Sequence, residues 1–175
     1  MMFYALIVIV VALLAFLAYV AKRPDSFRVE RSAVIQAPPD KIFPLVNDLA
    51  QWKAWSPYEK KDPAMQRSFS GPAAGLGAVY GWEGNKNVGT GRMEIIESVT
   101  PSKIRIQLDF LKPFEGHNVA EFTFVSGEGG TRVTWAMDGP APFITKLMGV
   151  IFNMDKMVGT DFAVGLENLK AVAEK

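Results

Sequence analysis

The chain has 175 residues, of which 49% are hydrophobic, and its 19 basic residues nearly balance its 18 acidic residues. This balance and the lack of a basic run argue against nucleic acid as a partner. Because the chain contains no cysteine, disulfides, thiol nucleophiles and iron–sulfur clusters are excluded. A zinc site around the single histidine, His117, would need an otherwise all-carboxylate ligand shell, so we predict no metal and no cofactor.

The first predicted element is an apolar segment, Met2 to Ala21, that contains no charged side chain. Twenty helical residues rise about 30 Å, which matches the hydrocarbon thickness of a bilayer. A cleavable signal peptide would have basic residues before the apolar run and a small residue at the position of Tyr19. Because the segment has neither feature, it favours an uncleaved transmembrane anchor.

The anchor defines the domain organisation. We predict a transmembrane anchor over residues 1–23, a linker over residues 24–26 and one folded domain over residues 27–175. Lys22 and Arg23 directly follow the apolar run, and positive charges favour the cytoplasmic side of a membrane. We therefore expect a single-pass membrane protein with its soluble domain in the cytoplasm, whereas an inverted anchor or a signal peptide would place that domain outside.

The domain shows a regular order of elements. Residues 27–36 alternate as in a strand, and residues 37–55 carry apolar side chains at helical spacing. Residues 65–138 contain about six short segments rich in β-branched and aromatic residues, which predicts an antiparallel meander. Apolar side chains over residues 144–169 recur every three or four positions, which predicts one long amphipathic helix.

This order predicts an α+β fold. A sheet with one apolar face must cover that face, and the last helix is the element available to cover it. A curved sheet that holds a long helix leaves room for a cavity between them. Methionines on that helix suit an irregular apolar space, because their side chains adapt to its shape.

Four strings resemble sequences of one superfamily. They are VIQAPPDKIFPLVNDLAQWKAWSPYEKKDP, GWEGNKNVGTGRMEI, LDFLKPFEGHNVAEFTF and TRVTWAMDG. Over residues 27–175 the chain resembles the polyketide cyclase/dehydrase and START-like (Bet v 1-like, SRPBCC) superfamily, and more narrowly its membrane-anchored bacterial members. The resemblance implies a helix-grip fold, in which a curved antiparallel sheet surrounds a long C-terminal helix. It also implies a hydrophobic cavity for lipids, sterols, polyketides, quinones or aromatic compounds, with catalysis in only some members.

The stretch GWEGNKNVGTGRMEI, residues 81–95, contains four glycines. A phosphate-binding loop needs glycines that open a helix. Here the glycines lead into strand residues, and no Gly-Lys-Ser/Thr motif follows them. We therefore predict a hairpin turn at residues 84–87, with sheet bends at Gly81 and Gly91.

Aromatic and methionine side chains are the predicted ligand contacts. Strand alternation places Tyr80 and Trp82 on one face and Met93 on the inner face beside them, where ligand contact and plain core packing are equal alternatives. The segment around Trp55 and Tyr58 is predicted to form the cavity mouth, to rest against lipid or to pack in the core. The full predicted set is Trp55, Tyr58, Tyr80, Trp82, Met93, Phe110, Phe122, Trp135, Met148 and Phe152.

No catalytic residue is predicted. His117 lies in an apparent turn, and alternation places Glu83 and Asp109 on the solvent face. The favoured function is therefore binding of a hydrophobic small molecule or lipid in an internal cavity at the membrane. One alternative is a cyclase- or dehydratase-like enzyme that uses a cavity carboxylate or His117. Another is a membrane-anchored adaptor that recruits a protein partner through an apolar patch on its outer surface.

Overall fold

A computed structural model of the protein describes residues 2–151 and 153–175. Within these ranges the chain forms one antiparallel sheet and a set of α-helices. The helices are α1 (Met2–Ala21), α2 (Pro39–Asn47), α3 (Trp52–Trp55), α4 (Pro57–Lys61), α5 (Phe143–Ile151) and α6 (Met154–Ala173). The strands are β1 (Ser26–Ile35), β2 (Gln66–Ser70), β3 (Val79–Glu83), β4 (Thr90–Val99), β5 (Lys103–Lys112), β6 (Gly116–Gly127) and β7 (Gly130–Pro140).

The seven strands form a sheet in the order β1-β7-β6-β5-β4-β3-β2. Side-chain burial alternates at the start of β5 as predicted, because the completely buried Ile104 and Ile106 alternate with the partly exposed Lys103 and Arg105. A shift of the register by one residue would turn these charged side chains into the core, so the alternation fixes how β5 pairs with its neighbours.

α6 covers the apolar inner face of the sheet and packs chiefly against β1. Phe162, Leu166 and Leu169 are each at most 2% exposed and recur at helical spacing, so they form the apolar stripe of the helix. The predicted α+β helix-grip fold is therefore confirmed, with a seven-stranded antiparallel sheet and a C-terminal helix across it.

The single C-terminal helix predicted over residues 144–169 is in fact two helices. α5 ends at Ile151 and α6 begins at Met154. Before α6, the side chain of Asn153 accepts a 2.8 Å hydrogen bond from the amide of Lys156. Asparagine at this position satisfies one of the amides that a helix start leaves free, so a new helix begins here. The apolar spacing continues across the break and does not reveal it.

The helical segment predicted over residues 37–55 contains two helices, α2 and α3. Asp48 caps a short 3-10 turn (Leu49–Gln51) that separates α2 from α3. Trp52 and Trp55 then donate their indole N–H groups to backbone carbonyls at the end of α2, each at 2.9 Å. These two hydrogen bonds fold α3 back against α2 and place both rings in the core.

α1 projects from the domain with nearly all of its side chains exposed. Among the helices of the described residues, α1 is the one that is long and apolar enough to cross a membrane. Membrane anchors and signal sequences share this property. The end of α1 is held to the domain by Lys146 on α5. The Lys146 ammonium donates to the carbonyl oxygen of Ala21 at 3.2 Å and to the carboxylate of Asp25 at 2.6 Å.

Candidate functional site

A cavity of about 400 Å³ lies between the inner face of the sheet and α6. Its wall is formed by side chains of β3 to β7, of the segment from α3 to α4 and of the first half of α6. Most of these side chains are apolar. Small-molecule pockets in proteins measure about 300–1,000 Å³, so the cavity is large enough for an organic ligand.

Six of the ten predicted contact residues line this cavity. Tyr80 and Met93 are cross-strand partners of β3 and β4, and the others reach the same space from α4 and from neighbouring strands. The six residues are Tyr58, Tyr80, Trp82, Met93, Phe110 and Trp135.

The other predicted contact residues have different positions. Trp55 and Phe122 are completely buried behind the wall, where their ring centroids lie 5.6 Å and 4.9 Å from that of Trp135. Met148 lies on α5, where its side chain is 37% exposed and does not line the cavity. Phe152 lies outside the described residues. Alternation identified the correct face of β6 for Phe122, but a residue on that face belongs either to the cavity or to the packed core.

The wall also contains residues outside the predicted set of ligand contacts. Met137 shares a face of β7 with Trp135, so strand alternation already indicated it, and Met157 belongs to the apolar stripe of the predicted helix. Three charged residues of the wall, Glu59, Lys61 and Asp161, had no signal in the sequence. Charged side chains are seldom buried, so the sequence alone places them in solvent.

Glu59 is the more buried of the two carboxylates, with only 7% of its side chain exposed. It accepts a 2.7 Å hydrogen bond from the Tyr80 hydroxyl and hydrogen bonds of 2.6 Å and 2.8 Å from the Arg67 guanidinium. Burial, together with the hydrogen bond to Glu59, raises the pKa of Tyr80, so its hydroxyl stays protonated as a donor. The cluster holds the Tyr80 ring in place and leaves the Glu59 charge compensated.

Asp161 forms a second charged cluster on the cavity wall. Its carboxylate accepts a 2.6 Å hydrogen bond from the Lys61 ammonium, and that ammonium also lies 5.1 Å from the centre of the Tyr58 ring. Burial, and secondly the charge of Asp161, raise the pKa of Tyr58. The cation therefore joins α4 to α6 and compensates the carboxylate between them.

Trp135 forms a rigid aromatic part of the wall. Its indole is stacked between the rings of Phe122, at 4.9 Å, and Phe162, at 4.1 Å. A Cβ atom at Gly165 would lie 2.7 Å from the indole, so glycine at this position allows α6 to approach the sheet closely. The buried indole nitrogen has no hydrogen-bond partner among the described residues.

The glycine-rich stretch forms the hairpin between β3 and β4. The carboxylate of Asp62, which lies beyond α4, accepts a 2.7 Å hydrogen bond from the amide of Asn85 and so holds the turn against the domain. The residue with a left-handed backbone is Gly89, with φ +66°, rather than one within the turn predicted at residues 84–87. The stretch leads into β4 and not into a helix, so it lacks the geometry of a phosphate-binding loop.

Trp82 is held over the cavity by its surroundings. Its indole N–H donates a 3.0 Å hydrogen bond to the carbonyl of Val88, and its ring lies across Gly91 on the neighbouring strand. A Cβ atom at Gly91 would overlap the ring and would lie 2.5 Å from the carbonyl oxygen of Asp109. Because Gly91 has no side chain, the indole can occupy the space above its backbone.

His117 lies away from the cavity. Its Nδ1 atom is 2.8 Å from the carboxylate of Asp109, which is also 3.8 Å from Arg92. The hydrogen bond between them raises the pKa of His117 and lowers the pKa of Asp109. The His117 side chain is 59% exposed, whereas that of Asp109 is only 17% exposed and thus more covered than predicted. Neither residue lines the cavity, so the hypothesis that His117 acts inside it does not hold.

The profile of one protein family, described as polyketide cyclase / dehydrase and lipid transport, matches residues 26–174. The chain belongs to this family. The match begins at the start of β1, so it contains the whole sheet, the cavity and α6 and leaves α1 outside. No curated protein sequence matches the chain. The matched segment thus contains the folded domain, and α1 lies before it.

Several solved structures share the fold of this chain, although their sequence identity to it is low. A protein from Chromobacterium violaceum has a TM-score of 0.59 and 17% identity, over 87% of this chain and 99% of that one. The Aha1 dimer from Colwellia psychrerythraea has a TM-score of 0.59 and 18% identity, over 85% and 96%. BexL, a di-domain ARO/CYC protein from the BE-7585A biosynthetic pathway, has a TM-score of 0.64 and 16% identity, over 89% and 52%. At such identities the likeness shows the fold alone.

Proposed function

We propose that this protein binds a hydrophobic small molecule or lipid in its cavity, beside a membrane in which α1 anchors it. The observation that carries the proposal is the apolar cavity of about 400 Å³ between the sheet and α6. An apolar ligand gains about 25 cal/mol for each Å² of surface that it removes from water. Such a ligand also partitions into bilayers, so an anchored domain meets it where it is most concentrated.

The charges of the wall favour binding over chemistry. Glu59 is compensated by Arg67 at 2.6 Å, and Asp161 is compensated by Lys61 at 2.6 Å. A general base must be free to take a proton from its substrate, whereas each of these carboxylates already accepts hydrogen bonds from a cation. Both ion pairs join α4 to another element, which is β2 for Arg67 and α6 for Asp161, so they hold α4 in place in the wall.

The proposal is tested by what the full chain retains on purification. The full chain is extracted from its native membranes in mild detergent, and bound molecules are identified by native mass spectrometry. Ala120 on β6 lines the cavity, so Ala120→Phe fills part of it. Val125 on the same strand is 60% exposed, so Val125→Phe adds the same ring outside and is the matched control.

The expected result is a bound hydrophobic molecule in the wild type and in Val125→Phe, and its loss in Ala120→Phe. The circular dichroism of the three proteins shows whether each one is folded. A folded wild type that retains no molecule from native membranes, or a ligand that survives equally in Ala120→Phe, would contradict binding in this cavity.

A second candidate is a dehydratase-like enzyme, which one observation favours. Glu59 is a buried carboxylate in the cavity wall, and the hydroxyl of Tyr80 beside it is kept protonated. A dehydratase removes a proton and a neighbouring hydroxide from its substrate, which together are one water. The molecule retained by Glu59→Gln would then be heavier by one water than that retained by the wild type. Equal masses would favour binding without chemistry.

A further inference from the structure

α5 presents an apolar surface to solvent directly beside the end of α1. Phe143 is 46% exposed, Ile144 is 60% exposed and Met148 is 37% exposed. At 100° per residue these three positions lie within about 140° of the helix circumference, so they form one face. A soluble protein seldom exposes such a face without a partner for it.

The other side of α5 is attached to the base of α1. The Lys146 side chain is only 8% exposed, and its ammonium bonds to the Ala21 carbonyl oxygen at 3.2 Å and to the Asp25 carboxylate at 2.6 Å. The amide of Ala141, just before α5, donates a 2.7 Å hydrogen bond to the carbonyl oxygen of Asp25. These contacts fix α5 at the level of the last turn of α1.

This level corresponds to the surface of the bilayer when α1 spans it. Ala21 is the last residue of the apolar run, and Lys22 and Arg23 follow at once. Basic residues at the end of a spanning helix lie in the headgroup region, so Ala21 lies at the boundary between hydrocarbon and water. Because Lys146 contacts Ala21, α5 lies at the same boundary.

We propose that α5 is an interfacial helix whose apolar face lies in the lipid headgroup region beside the anchor. The inference rests on the proposed membrane location of the protein. An interfacial helix buries its apolar face about 5–10 Å into the boundary between headgroups and acyl chains. The occupant of this face is thus the bilayer itself, and α1 and α5 together form one continuous membrane-contacting surface.

The position of α5 also bears on the cavity. α6 begins three residues after α5 ends, and in its first turns Met157 is 57% exposed while lining the cavity. A cavity wall residue that is also exposed marks the place where the cavity approaches the surface. Docking of α5 on the bilayer therefore brings this end of the cavity close to the lipid, which deepens the proposed function by supplying a route for an apolar ligand.

The test uses single cysteines, because the natural chain has none. Ile144→Cys places a fluorophore on the apolar face of α5. Val125→Cys is the matched control, since both side chains are 60% exposed. Val125 pairs with Arg132, eight residues before Pro140 on β7, so it lies roughly 26 Å along the sheet from the start of α5. Val10→Cys reports on the middle of α1.

The labelled full chains are reconstituted in phosphatidylcholine vesicles, and two quenchers are compared. A nitroxide carried on the lipid acyl chains reports contact with the bilayer, and iodide reports contact with water. The expected result is strong nitroxide quenching and several-fold weaker iodide quenching for the Ile144 label, with the opposite for the Val125 label. Both labels lie on the same domain, so the ratio of the quenching of the Ile144 label to that of the Val125 label does not depend on which way the protein inserts.

Three results would overturn the inference. If the Val10 label is quenched by lipid while the Ile144 label behaves like the Val125 label, α5 lies in water and only this inference fails. If the Val10 label is not quenched by lipid, the membrane location fails and the inference fails with it. If the Ile144 label is shielded from both quenchers, and unlabelled Ile144→Cys chains cross-link to one another through their free thiols, a second copy covers α5 instead of lipid.

Discussion

Substitution of Gly91 by alanine is predicted to displace Trp82 from the cavity wall. The new Cβ atom would overlap the indole and would lie 2.5 Å from the carbonyl oxygen of Asp109. The indole has little freedom to move, because its N–H donates to the carbonyl of Val88 at 3.0 Å. The Asp109 carbonyl belongs to the backbone of β5, so relief on that side requires the two strands to separate.

The size of the effect follows from these two contacts. Overpacking a filled site destabilises a protein by about 1–3 kcal/mol. Displacement of Trp82 would also lose its hydrogen bond to Val88, which contributes about 1 kcal/mol. The free energy of unfolding should therefore fall by about 2–4 kcal/mol. For a protein of this size such a change lowers the melting temperature by roughly 4–16 °C.

The assay is urea denaturation of the full chain in detergent, followed by tryptophan fluorescence. Gly129→Ala is the matched control, because a Cβ atom at Gly129 meets nothing within 4 Å. The double variant Gly91→Ala with Trp82→Ala removes the ring from the clash and leaves the contact with Asp109. The loss of unfolding free energy in the double variant should therefore be smaller than the sum of the losses in the two single variants. The reasoning would be refuted if Gly91→Ala were as stable as Gly129→Ala.

Three other substitutions test separate parts of the structure. Glu59→Gln should lower the free energy of unfolding by about 1–3 kcal/mol, because Arg67 loses its anionic partner; urea denaturation measures this. Asn153→Ala should lower it by about 0.5–2 kcal/mol through loss of the α6 cap, with faster amide exchange at Lys156. His117→Gln should leave ligand retention unchanged. Because the folded pKa of His117 is raised above 6.5, its stabilising effect is complete below that pH and is lost as pH rises through the folded value.

Each of these predictions has a result that contradicts it. For Glu59→Gln it is a stability equal to that of an exposed control such as Glu128→Gln. For Asn153→Ala it is unchanged exchange at the start of α6. For His117→Gln it is a stability difference from the wild type that stays constant from about pH 5 to about pH 9, or loss of the bound ligand.

Much of the fold could be predicted because sheets leave a local signature. Ile104 and Ile106 alternate with Lys103 and Arg105, and this alternation follows from the geometry of a strand with one solvent-exposed face. The turn after Glu83 was visible for the same local reason, since glycine and asparagine mark the end of a strand. Local patterns of this kind do not depend on what packs above them.

The candidate site was predicted only in part, because cavity and core share one face of the sheet. Trp135 and Phe122 belong to the same apolar face, yet one lines the cavity and the other is completely buried behind it. Glu59 had no predicted role and is buried against Tyr80 and Arg67. Its partners are 21 and 8 residues away along the chain, so no local pattern connects them.

Periodicity within single segments predicted the apolar helix, the antiparallel strands and a helix that covers the sheet, and the family resemblance implied the helix-grip fold. Tertiary structure decided where the empty space lies, which charges are buried in its wall, and that His117 lies outside it. It also decided that α5 is a separate helix, held by Lys146 at the end of α1. These features depend on contacts between segments far apart in the chain. The spacing of apolar residues within one segment does not show which other segment packs against it.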